Sequence, residues 1–310
     1  MTLTILIIIP LLTCLLILFN SDLKKIRTVA LSGAILQMVY AFSLLWLYLH
    51  PTSEAGPLFM EFDRIWFLPL NIHYHIGVDG IALSMILLTT LIVVAGILMS
   101  WTMEKMPREY FFLLVMLSMG AYGFFISQDL FTMFFFLEVA VIPKFLLIGI
   151  WGSGNKVRSA MKLALMLMAG SALVFLGMVG MYYQTSSFDM QVIAQQGIST
   201  AMQEFLFPFA FIGFGIFAAM FPFHTWVPDG HASAPTAASM FLAGISMKLG
   251  GYGCLRLLTL LPDGARHYSW VIILLATVAI IYGAFATMMQ KDLKYINAYS
   301  SISHCGRLCM

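Results

Sequence analysis

Glu138 is a carboxylate inside an apolar run, residues 131–143, whose other side chains are almost all hydrocarbon. A helix rises 1.5 Å per residue, so a position eight residues into a spanning helix lies ~12 Å deep, near the bilayer midplane. An ionised side chain there costs about 2.5–3.5 kcal/mol on insertion scales, which makes it a functional hypothesis by default. Glu138 is therefore either a neutral group that hydrogen-bonds a neighbouring helix or a titrating group on a proton or ion path. We favour the second interpretation.

Two lysines lie within other parts of the apolar sequence, at different depths. Lys248 is thirteen residues into its segment, too deep for its chain to reach the membrane surface easily, so it could alternate between charged and neutral forms. Lys144 is six residues from the end of its segment, ~9 Å along the axis, and we expect it to snorkel to the surface. It is also about 120° around the helix from Glu138, so the two do not form a same-face pair.

The apolar segment around residue 217 is the least regular, because four helix-disrupting residues interrupt it: Gly213, Gly215, Pro222 and Pro228. Broken backbone at membrane depth is tolerated only where protein or a water-filled cavity satisfies its polar groups, and transporters place their sites at such breaks. His224 follows the break, and His304 lies in the last apolar segment. Together with Glu138 and Lys248, these histidines are the expected members of a hydrated polar axis.

The elements that position these groups are membrane-spanning helices. Of 310 residues, 61% are hydrophobic and 10% are charged, against roughly 25% charged in an ordinary soluble domain. The mean hydropathy is +0.93. These values exclude a soluble enzyme, a nucleic-acid-binding protein and a disordered regulator. The formal net charge of +2 gives no reason to expect an anionic partner, and four scattered cysteines do not make a disulfide framework.

Nine stretches are long and apolar enough to cross a bilayer, which needs about 20 residues per helix. They are residues 2–19, 28–49, 78–103, 109–127, 130–150, 160–183, 205–227, 235–258 and 269–289. A tenth begins near Tyr295 and reaches the end of the sequence, so we expect an all-α polytopic bundle of nine complete helices and a partial tenth. The basic residues of the first stretch follow it, which predicts a spanning helix and not a cleaved signal.

The basic residues predict the orientation of the chain. Ten of them fall in loops after odd-numbered stretches and three fall in the other loops. The positive-inside rule then places the odd-numbered loops in the cytoplasm and the N-terminus outside. The longest connection, residues 50–77, is predicted as an external loop rich in proline and acidic residues: Pro51, Pro57, Pro69, Glu54, Glu61 and Asp63.

The same loop contains the residues that could suggest a metal site, His73 and His75, with Asp79 nearby. No second cluster of ligands supports that idea, so we expect no metal. The sequence also has no phosphate-binding glycine loop followed by Lys-Ser/Thr and no cysteine motif for haem or an iron–sulfur cluster. We therefore expect no cofactor and no redox centre in this chain.

One long motif makes the sequence resemble a known family. The run FPFHTWVPDGHASAPTAAS at 221–239 leads into LAG at 242–244 and KLGGYG at 248–253. Shorter supporting runs are GVDGI at 77–81, FLEVAVIP at 136–143, IGIWG at 148–152, KDLKY at 291–295 and AYSSISH at 298–304. These motifs resemble the antiporter-like membrane subunits of respiratory complex I, most closely the subunit M group of bacterial NADH:quinone oxidoreductase. The resemblance covers essentially the whole chain.

The resemblance implies a pump module of two inverted five-helix repeats. The first would occupy residues 109–258 with a broken seventh helix, the second would begin at 259 and be incomplete, and residues 1–108 would add three N-terminal helices. In the family a Glu on helix 5 tunes a Lys on helix 7, and a Lys or His on helix 8 passes the proton onward. Glu138 matches the first role and Lys248 the helix 8 role, while His224 and His304 match histidines of the polar axis.

The sequence departs from the family pattern in two respects. The position of the helix 7 lysine is Phe217 here, and phenylalanine can neither carry a proton nor pair with Glu138. Family members are also considerably longer, so we expect a C-terminally truncated chain without helices 11–14. For the chain as written, both departures favour a non-conducting scaffold.

The resemblance thus predicts a proton-translocating subunit of NADH:quinone oxidoreductase in the bacterial inner membrane, with quinone reduction in other subunits. Its expected partners are neighbouring antiporter-like subunits of complex I, membrane lipid and protons, and not nucleic acid. Three alternatives stay open: a subunit of a multi-subunit cation/proton antiporter, a subunit of a membrane-bound hydrogenase, or a scaffold that does not conduct.

Overall fold

Helices form nearly all of the structure, a computed structural model that describes residues 3–50 and 58–308. The helices are α1 (Ile5–Phe19), α2 (Leu23–Leu49), α3 (Gly80–Met99), α4 (Pro107–Ile126), α5 (Leu130–Trp151), α6 (Lys156–Thr185), α7 (Met190–Gln196), α8 (Thr200–Phe217), α9 (Trp226–Ser233), α10 (Thr236–Phe241), α11 (Met247–Leu260), α12 (Pro262–Met289) and α13 (Leu293–Leu308). A π-helical turn, Leu242–Ser246, joins α10 to α11. The fold is therefore a membrane helix bundle, as the composition predicts.

Seven helices of the described chain are long and apolar enough to cross a membrane: α2, α3, α4, α5, α6, α8 and α12. Helix α1 is apolar but shorter, with 15 residues. The stretch predicted at 235–258 is divided into α10, the π-helical turn and α11. Helix α12 begins seven residues before its predicted start, since Pro262 occupies its first turn and the polar residues that follow hide that turn from a hydropathy profile.

Three aspartates begin helices at the end of the bundle that carries residues 58–79. Asp79 accepts a hydrogen bond from the Ala82 backbone N–H at 2.8 Å, and Asp129 accepts one from the Phe131 N–H at 2.9 Å. Asp189 accepts from the Gln191 N–H at 2.8 Å and so begins α7, a short helix that apolar periodicity did not predict. Each cap satisfies backbone donors that a helix leaves unpaired at its first turn.

The predicted external loop is folded where the structure describes it. Strand β1 (Phe59–Phe62) pairs with β4 (Ile76–Val78), and β2 (Ile65–Phe67) pairs with β3 (Ile72–His73), both antiparallel. Pro51, Glu54 and Pro57 of that predicted loop lie outside the described residues. Asp79 also pairs with Arg256 of α11 at 2.9 Å, which ties the end of this segment to that helix.

His75 fastens the hairpin segment to the bundle. Its ring is buried, Nδ1 hydrogen-bonds the Asp189 carboxylate, and Nε2 lies 2.8 Å from Glu61 Oε1. His73 forms a second pair, 2.8 Å from Asp63. Both histidines considered above for metal binding are thus held by carboxylates. Within residues 3–50 and 58–308, no group of three or more His, Cys, Asp or Glu residues could hold a metal ion.

The hydrogen bonds and charges around His75 and Asp189 determine the charge state of this pair. Burial lowers the pKa of His75, but the hydrogen bond and charge of Asp189, followed by the hydrogen bond of Glu61, outweigh burial and raise the pKa to about 9. Burial acts against the Asp189 carboxylate, yet the His75 hydrogen bond and charge hold the pKa of Asp189 below its usual value. The pair is therefore an imidazolium and a carboxylate at neutral pH, which anchors the hairpins by charge as well as by hydrogen bonds.

The raised pKa of His75 predicts a stability loss in alkaline solution. The folded-state pKa exceeds the unfolded one, so the stabilisation, roughly 3 kcal/mol, is complete below about pH 6.5 and lost as pH rises through about 9. We expect the melting temperature of the purified protein in detergent to fall between about pH 7 and pH 9. His75→Gln should remove this dependence. His267→Gln, at a half-exposed histidine paired with Glu204, is the control and should keep it; an unchanged pH profile in His75→Gln would contradict the assignment.

Candidate functional site

Glu138 lies on α5, half-buried, and its carboxylate is engaged by a neighbouring helix. The Ser171 hydroxyl of α6 donates a hydrogen bond to Oε1. Ser171 is itself buried, so this polar contact lies inside the bundle and not at its surface. Sequence reasoning did not identify Ser171, because a serine in an apolar helix gives no signal until its partner across the helix interface is known.

Lys144 corrects a prediction made from the sequence. The side chain is 1% exposed, and Nζ is buried with no hydrogen-bond partner among the described residues. A lysine that snorkelled would present Nζ at the membrane surface, so the prediction of snorkelling is wrong.

The packing of α4 on α5 explains why Lys144 is buried. An added Cβ at Gly120 of α4 would meet the backbone nitrogen of Ala140 at 2.8 Å, and one at Gly123 would meet the Phe136 ring at 2.2 Å. The glycines therefore let α4 lie directly against a stripe of α5 that includes Phe136 and Ala140. Lys144 is the next residue at helical spacing on this stripe, which places its side chain in the interface between the two helices.

Lys248 is half-buried in the first turn of α11, immediately after the π-helical turn. Its Nζ donates a hydrogen bond to the Ala243 carbonyl at 2.5 Å. π-helical turns often mark functional sites, because their wider spacing leaves backbone carbonyls open to other donors. The turn could not be predicted from hydropathy, since residues 242–246 are as apolar as an ordinary helix.

His231 on α9 is a functional candidate that sequence reasoning missed. Its ring is 2% exposed, Nδ1 lies 3.0 Å from the Ser239 hydroxyl, and Nε2 is buried with no partner among the described residues. Lys248 and Lys294 both act electrostatically on the ring. The signal was present, because His231 stands inside the long motif at 221–239, but the motif contains two histidines and only His224 was considered.

His224 lies in an aromatic environment, in the turn before α9. It is buried, its ring stacks on Phe221 at 5.5 Å between centroids, and it meets Tyr282 of α12 edge to face at 4.9 Å. Its Nδ1 has no hydrogen-bond partner among the described residues. His304 is exposed on α13. The roles of Lys248, His224 and His304 on the axis stay predictions.

Helix α8 ends at Phe217, which is fully buried, and helical structure resumes at Trp226. The backbone between them turns sharply, with a positive φ of 59° at Ala219. The Trp226 indole donates to the Ile216 carbonyl at 3.0 Å and so satisfies one of the acceptors that the helix end leaves free. Gly250 of α11 allows the close approach, because an added Cβ there would meet the Ala218 nitrogen at 2.2 Å.

The other predicted residues of the break have distinct positions. An added Cβ at Gly213 would meet the Gly170 carbonyl of α6 at 2.8 Å, and one at Gly215 would meet the end of the Met220 side chain at 2.8 Å. Pro222 lies in the turn after α8, and Pro228 lies in the first turn of α9. Small residues thus admit neighbouring helices, while the two prolines lie where few intrahelical donors are needed.

A polar cavity of about 380 Å³ opens beside α9, at the bundle end predicted to be cytoplasmic. Its lining includes Ser153, Arg158, Ser159, Asp229, Ser233 and Tyr295. Asp229 pairs with Lys162 at 2.7 Å, and the hydroxyls of Ser159 and Ser233 are 2.8 Å apart. His231 lies between Asp229 and Ser233 along α9, so carboxylate, imidazole and hydroxyl groups follow one another on this helix. Groups of these types can exchange protons.

Comparisons with known proteins agree with the resemblance inferred from the motifs. The family described as "NADH:quinone oxidoreductase/Mrp antiporter, TM" matches residues 127–310. NADH-ubiquinone oxidoreductase chain 4 of Chondrus crispus is 38% identical over 297 residues, 94% of this chain and 59% of that protein. NADH-quinone oxidoreductase subunit M of Rickettsia bellii (strain RML369-C) is 36% identical over 312 residues, 97% of this chain and 62% of that protein. The chain therefore spans about three fifths of the length of these relatives.

Solved structures share the fold. A chain of respiratory complex I from Thermus thermophilus with bound NADH superimposes with a TM-score of 0.87 at 24% identity, over 98% of this chain and 63% of that one. A chain of the Mrp complex from Dietzia sp. DQ12-45-1b gives a TM-score of 0.84 at 20% identity, over 98% of this chain and 57% of that one. These likenesses show an antiporter-like fold.

The close contact of α4 with α5 can be tested with matched glycine substitutions. Gly120→Ala should destabilise the protein by about 1–3 kcal/mol, because the new Cβ would lie 2.8 Å from the Ala140 backbone nitrogen. Gly149→Ala on α5 is the control, since its nearest contact would be an ordinary 3.7 Å to Ala160. Melting of both variants in detergent would measure the difference, and equal melting temperatures would show that the interface is looser than described.

Proposed function

Since this chain belongs to the NADH:quinone oxidoreductase/Mrp antiporter family of membrane proteins, we propose that it is a proton-translocating membrane subunit of an NADH:quinone oxidoreductase of the subunit M type. The observation that carries the proposal is the set of buried ionisable groups inside a helix bundle whose helical structure is interrupted between α8 and α9. Ionisable residues inside membrane segments are costly, and they mark proton and ion paths. The catalytic redox chemistry, including quinone reduction, would belong to other subunits.

The proposed mechanism is electrostatic coupling. A charge change in a neighbouring subunit would shift the proton affinity of Glu138, and protons would then pass through Lys248, with His231 connecting that lysine to the polar cavity beside α9. At an effective dielectric constant of 20, two unit charges 4 Å apart interact by about 4 kcal/mol. A displacement of charge near this axis could therefore change proton occupancy by orders of magnitude.

The cation/proton antiporter is the second candidate, since a chain of an Mrp complex shares the fold. That likeness is at 20% identity, whereas the relatives at 36–38% identity are NADH-quinone and NADH-ubiquinone oxidoreductase chains. The sequence likeness therefore favours the oxidoreductase subunit. A non-conducting scaffold draws its support from Phe217, which places a buried aromatic ring where the resemblance implies a lysine. If the chain is such a scaffold, substitution of any of its buried polar residues would leave proton movement by the complex unchanged.

The proposed membrane arrangement has nine complete transmembrane helices and a partial tenth. Residues 1–108 would form an N-terminal unit, residues 109–258 the first five-helix repeat, and residues 259–310 the start of the second. We place the chain in the bacterial inner membrane with its N-terminus outside, on the basis of the distribution of basic residues. Its partners would be neighbouring antiporter-like subunits, membrane lipid and protons.

Glu138→Gln tests the proposed function. We expect fewer protons translocated per NADH oxidised, because glutamine keeps the size and a hydrogen bond to Ser171 but cannot change charge. The measurement is proton uptake into inverted membrane vesicles that contain the complete complex, normalised to NADH oxidation. Glu104→Gln, at an exposed carboxylate in the connection between α3 and α4, is the matched control. A wild-type pumping ratio in Glu138→Gln would reject the pump assignment.

The orientation can be tested by cysteine labelling in intact bacterial cells. A membrane-impermeant maleimide should label Leu68→Cys, an exposed position in the hairpin segment, and should label Ser153→Cys only after the cells are permeabilised. The native Cys14, Cys254 and Cys305 are buried, so the unsubstituted protein supplies the background. The reverse pattern of labelling would place the N-terminus in the cytoplasm.

A further inference from the structure

A cavity of about 450 Å³ opens at the end of the bundle that carries the hairpin segment. Helix α1, helix α5 and the hairpin segment form its walls. Their lining residues are Ile7 from α1, Thr132, Phe135 and Phe136 from α5, and Arg64, Ile65, Trp66 and Tyr74 from the hairpin segment. The lining is therefore mostly apolar and aromatic, and Arg64 is the charged residue among these eight.

Contacts between the hairpin segment and both helices define this cavity. Trp66 meets Phe135 of α5 edge to face, with 6.3 Å between the ring centroids. The Tyr74 hydroxyl donates a hydrogen bond to Thr4 Oγ1, just before α1, at 3.4 Å. The two aromatic residues of the hairpin segment thus reach across to the two helices, and the cavity lies between them.

The cavity lies at the depth of lipid headgroups and of the first part of their acyl chains. The hairpin segment joins the ends of the apolar helices α2 and α3, so it lies at a membrane surface. Helix α5 begins at Leu130 beside this segment, and Phe136 lies six residues further, ~9 Å along the axis. The headgroup region is roughly 5–7 Å thick, so the lining crosses it and enters the hydrocarbon.

Arg64 brings a positive charge to the cavity that the neighbouring carboxylates leave unpaired. Glu61 pairs with His75 at 2.8 Å, and Asp63 pairs with His73 at 2.8 Å. The Arg64 guanidinium, in contrast, has neither an ion-pair partner nor a side-chain hydrogen bond within residues 3–50 and 58–308, and the residue is exposed. A guanidinium presents a planar set of donors that matches the oxygens of a phosphate group.

The surface beside the cavity has the composition of a surface that faces lipid. Every exposed side chain of α1 is a leucine, an isoleucine or a phenylalanine: Ile8, Leu11, Leu12, Leu15, Leu16, Leu18 and Phe19. Contacts between membrane helices instead use small residues, which let backbones approach, and polar residues, which hydrogen-bond across the interface. Trp66 and Tyr74 are of the residue types that are enriched where a membrane meets water. These features favour a lipid over another helix as the occupant.

We propose that this cavity binds an anionic phospholipid. The phosphate group lies on the Arg64 guanidinium, and the first part of one acyl chain lies between α1 and α5, against Ile7, Phe135 and Phe136. A zwitterionic phospholipid binds less well, because its own cation competes with Arg64 for the phosphate. The bound lipid joins the hairpin segment to both helices, and this role depends neither on proton translocation nor on the orientation of the chain.

The test uses the complete complex in vesicles of equal parts phosphatidylcholine and phosphatidylglycerol. In separate samples, a trace of one of the two lipids carries a photoreactive diazirine in its acyl chain, and mass spectrometry locates the adducts after irradiation. Arg64→Gln removes the charge, and its control is Arg266→Gln, at an exposed arginine near the start of α12. Ile7→Trp fills part of the cavity, and its control is Ile8→Trp, at an exposed position of α1 that does not line the cavity.

The phosphatidylglycerol probe should form adducts with Trp66 and Phe135 in the wild type, and in higher yield than the phosphatidylcholine probe. Arg64→Gln should lower the yield of the phosphatidylglycerol adducts about fivefold, the equivalent of the ~1 kcal/mol that one basic residue contributes near an anionic membrane surface. Ile7→Trp should reduce the adducts of both probes, because the acyl chain loses its place between the helices. Both control variants should match the wild type.

Three results would overturn the proposal. Equal labelling by the two probes in the wild type would show that the cavity does not select an anionic headgroup, and unchanged labelling in Arg64→Gln would show that Arg64 does not hold the phosphate. If neither probe labels Trp66 or Phe135 in the wild type, a neighbouring subunit and not lipid covers the cavity. Native electrophoresis checks the assembly of each variant; if Ile7→Trp does not assemble, the comparison of Arg64→Gln with Arg266→Gln decides, because both arginines are exposed.

Discussion

The constraint on which this structure depends is that hydrocarbon offers no hydrogen bonds, so every polar group inside the membrane must find its partner within the protein. Regular helices meet the requirement for the backbone automatically. Where the helices are interrupted, side chains donate hydrogen bonds to the free backbone carbonyls. The Trp226 indole donates to Ile216, the Lys248 amine donates to Ala243, and the Lys294 amine donates to Ala232 and Ala234 at the end of α9. At these three interruptions, a side chain thus satisfies a carbonyl that the helix leaves without a partner.

Within residues 3–50 and 58–308, some buried polar side-chain atoms lack any hydrogen-bond partner of this kind. Six buried side-chain atoms have no hydrogen-bond partner among the described residues: Arg27 Nε, Gln37 Oε1, Lys144 Nζ, His224 Nδ1, His231 Nε2 and Ser246 Oγ. In a soluble core such groups would destabilise the fold by 1–3 kcal/mol or more each. An unoccupied donor or acceptor is a position that water or a proton can use, and Lys144, His224 and His231 are the lysine and histidines among these six residues.

Charged groups have different surroundings at the hairpin end of the protein and inside the helix bundle. At the hairpin end, His75 lies between Asp189 and Glu61, and the resulting charged pair is stable across the physiological range and anchors the segment. Inside the bundle, Glu138 accepts a hydrogen bond from a neutral hydroxyl on α6 and has no ion-pair partner among the described residues. A group in an ion pair is held in one charge state, whereas a group bonded to a neutral partner can change its charge state at a lower cost.

The sequence by itself determined the class of protein, because hydropathy depends only on local composition. It predicted a membrane helix bundle and the family, and it singled out Glu138 and Lys248 as candidates for a proton path. It predicted the wrong environment for Lys144, because the distance to a helix end says nothing about which neighbour covers the side chain. The tertiary structure decided that point: Gly120 and Gly123 admit α4 onto the stripe of α5 that carries Lys144. It likewise decided that Ser171 meets Glu138 and that His224 packs against Tyr282 of α12, since contacts between distant segments depend on how helices pack and leave no local pattern in the chain.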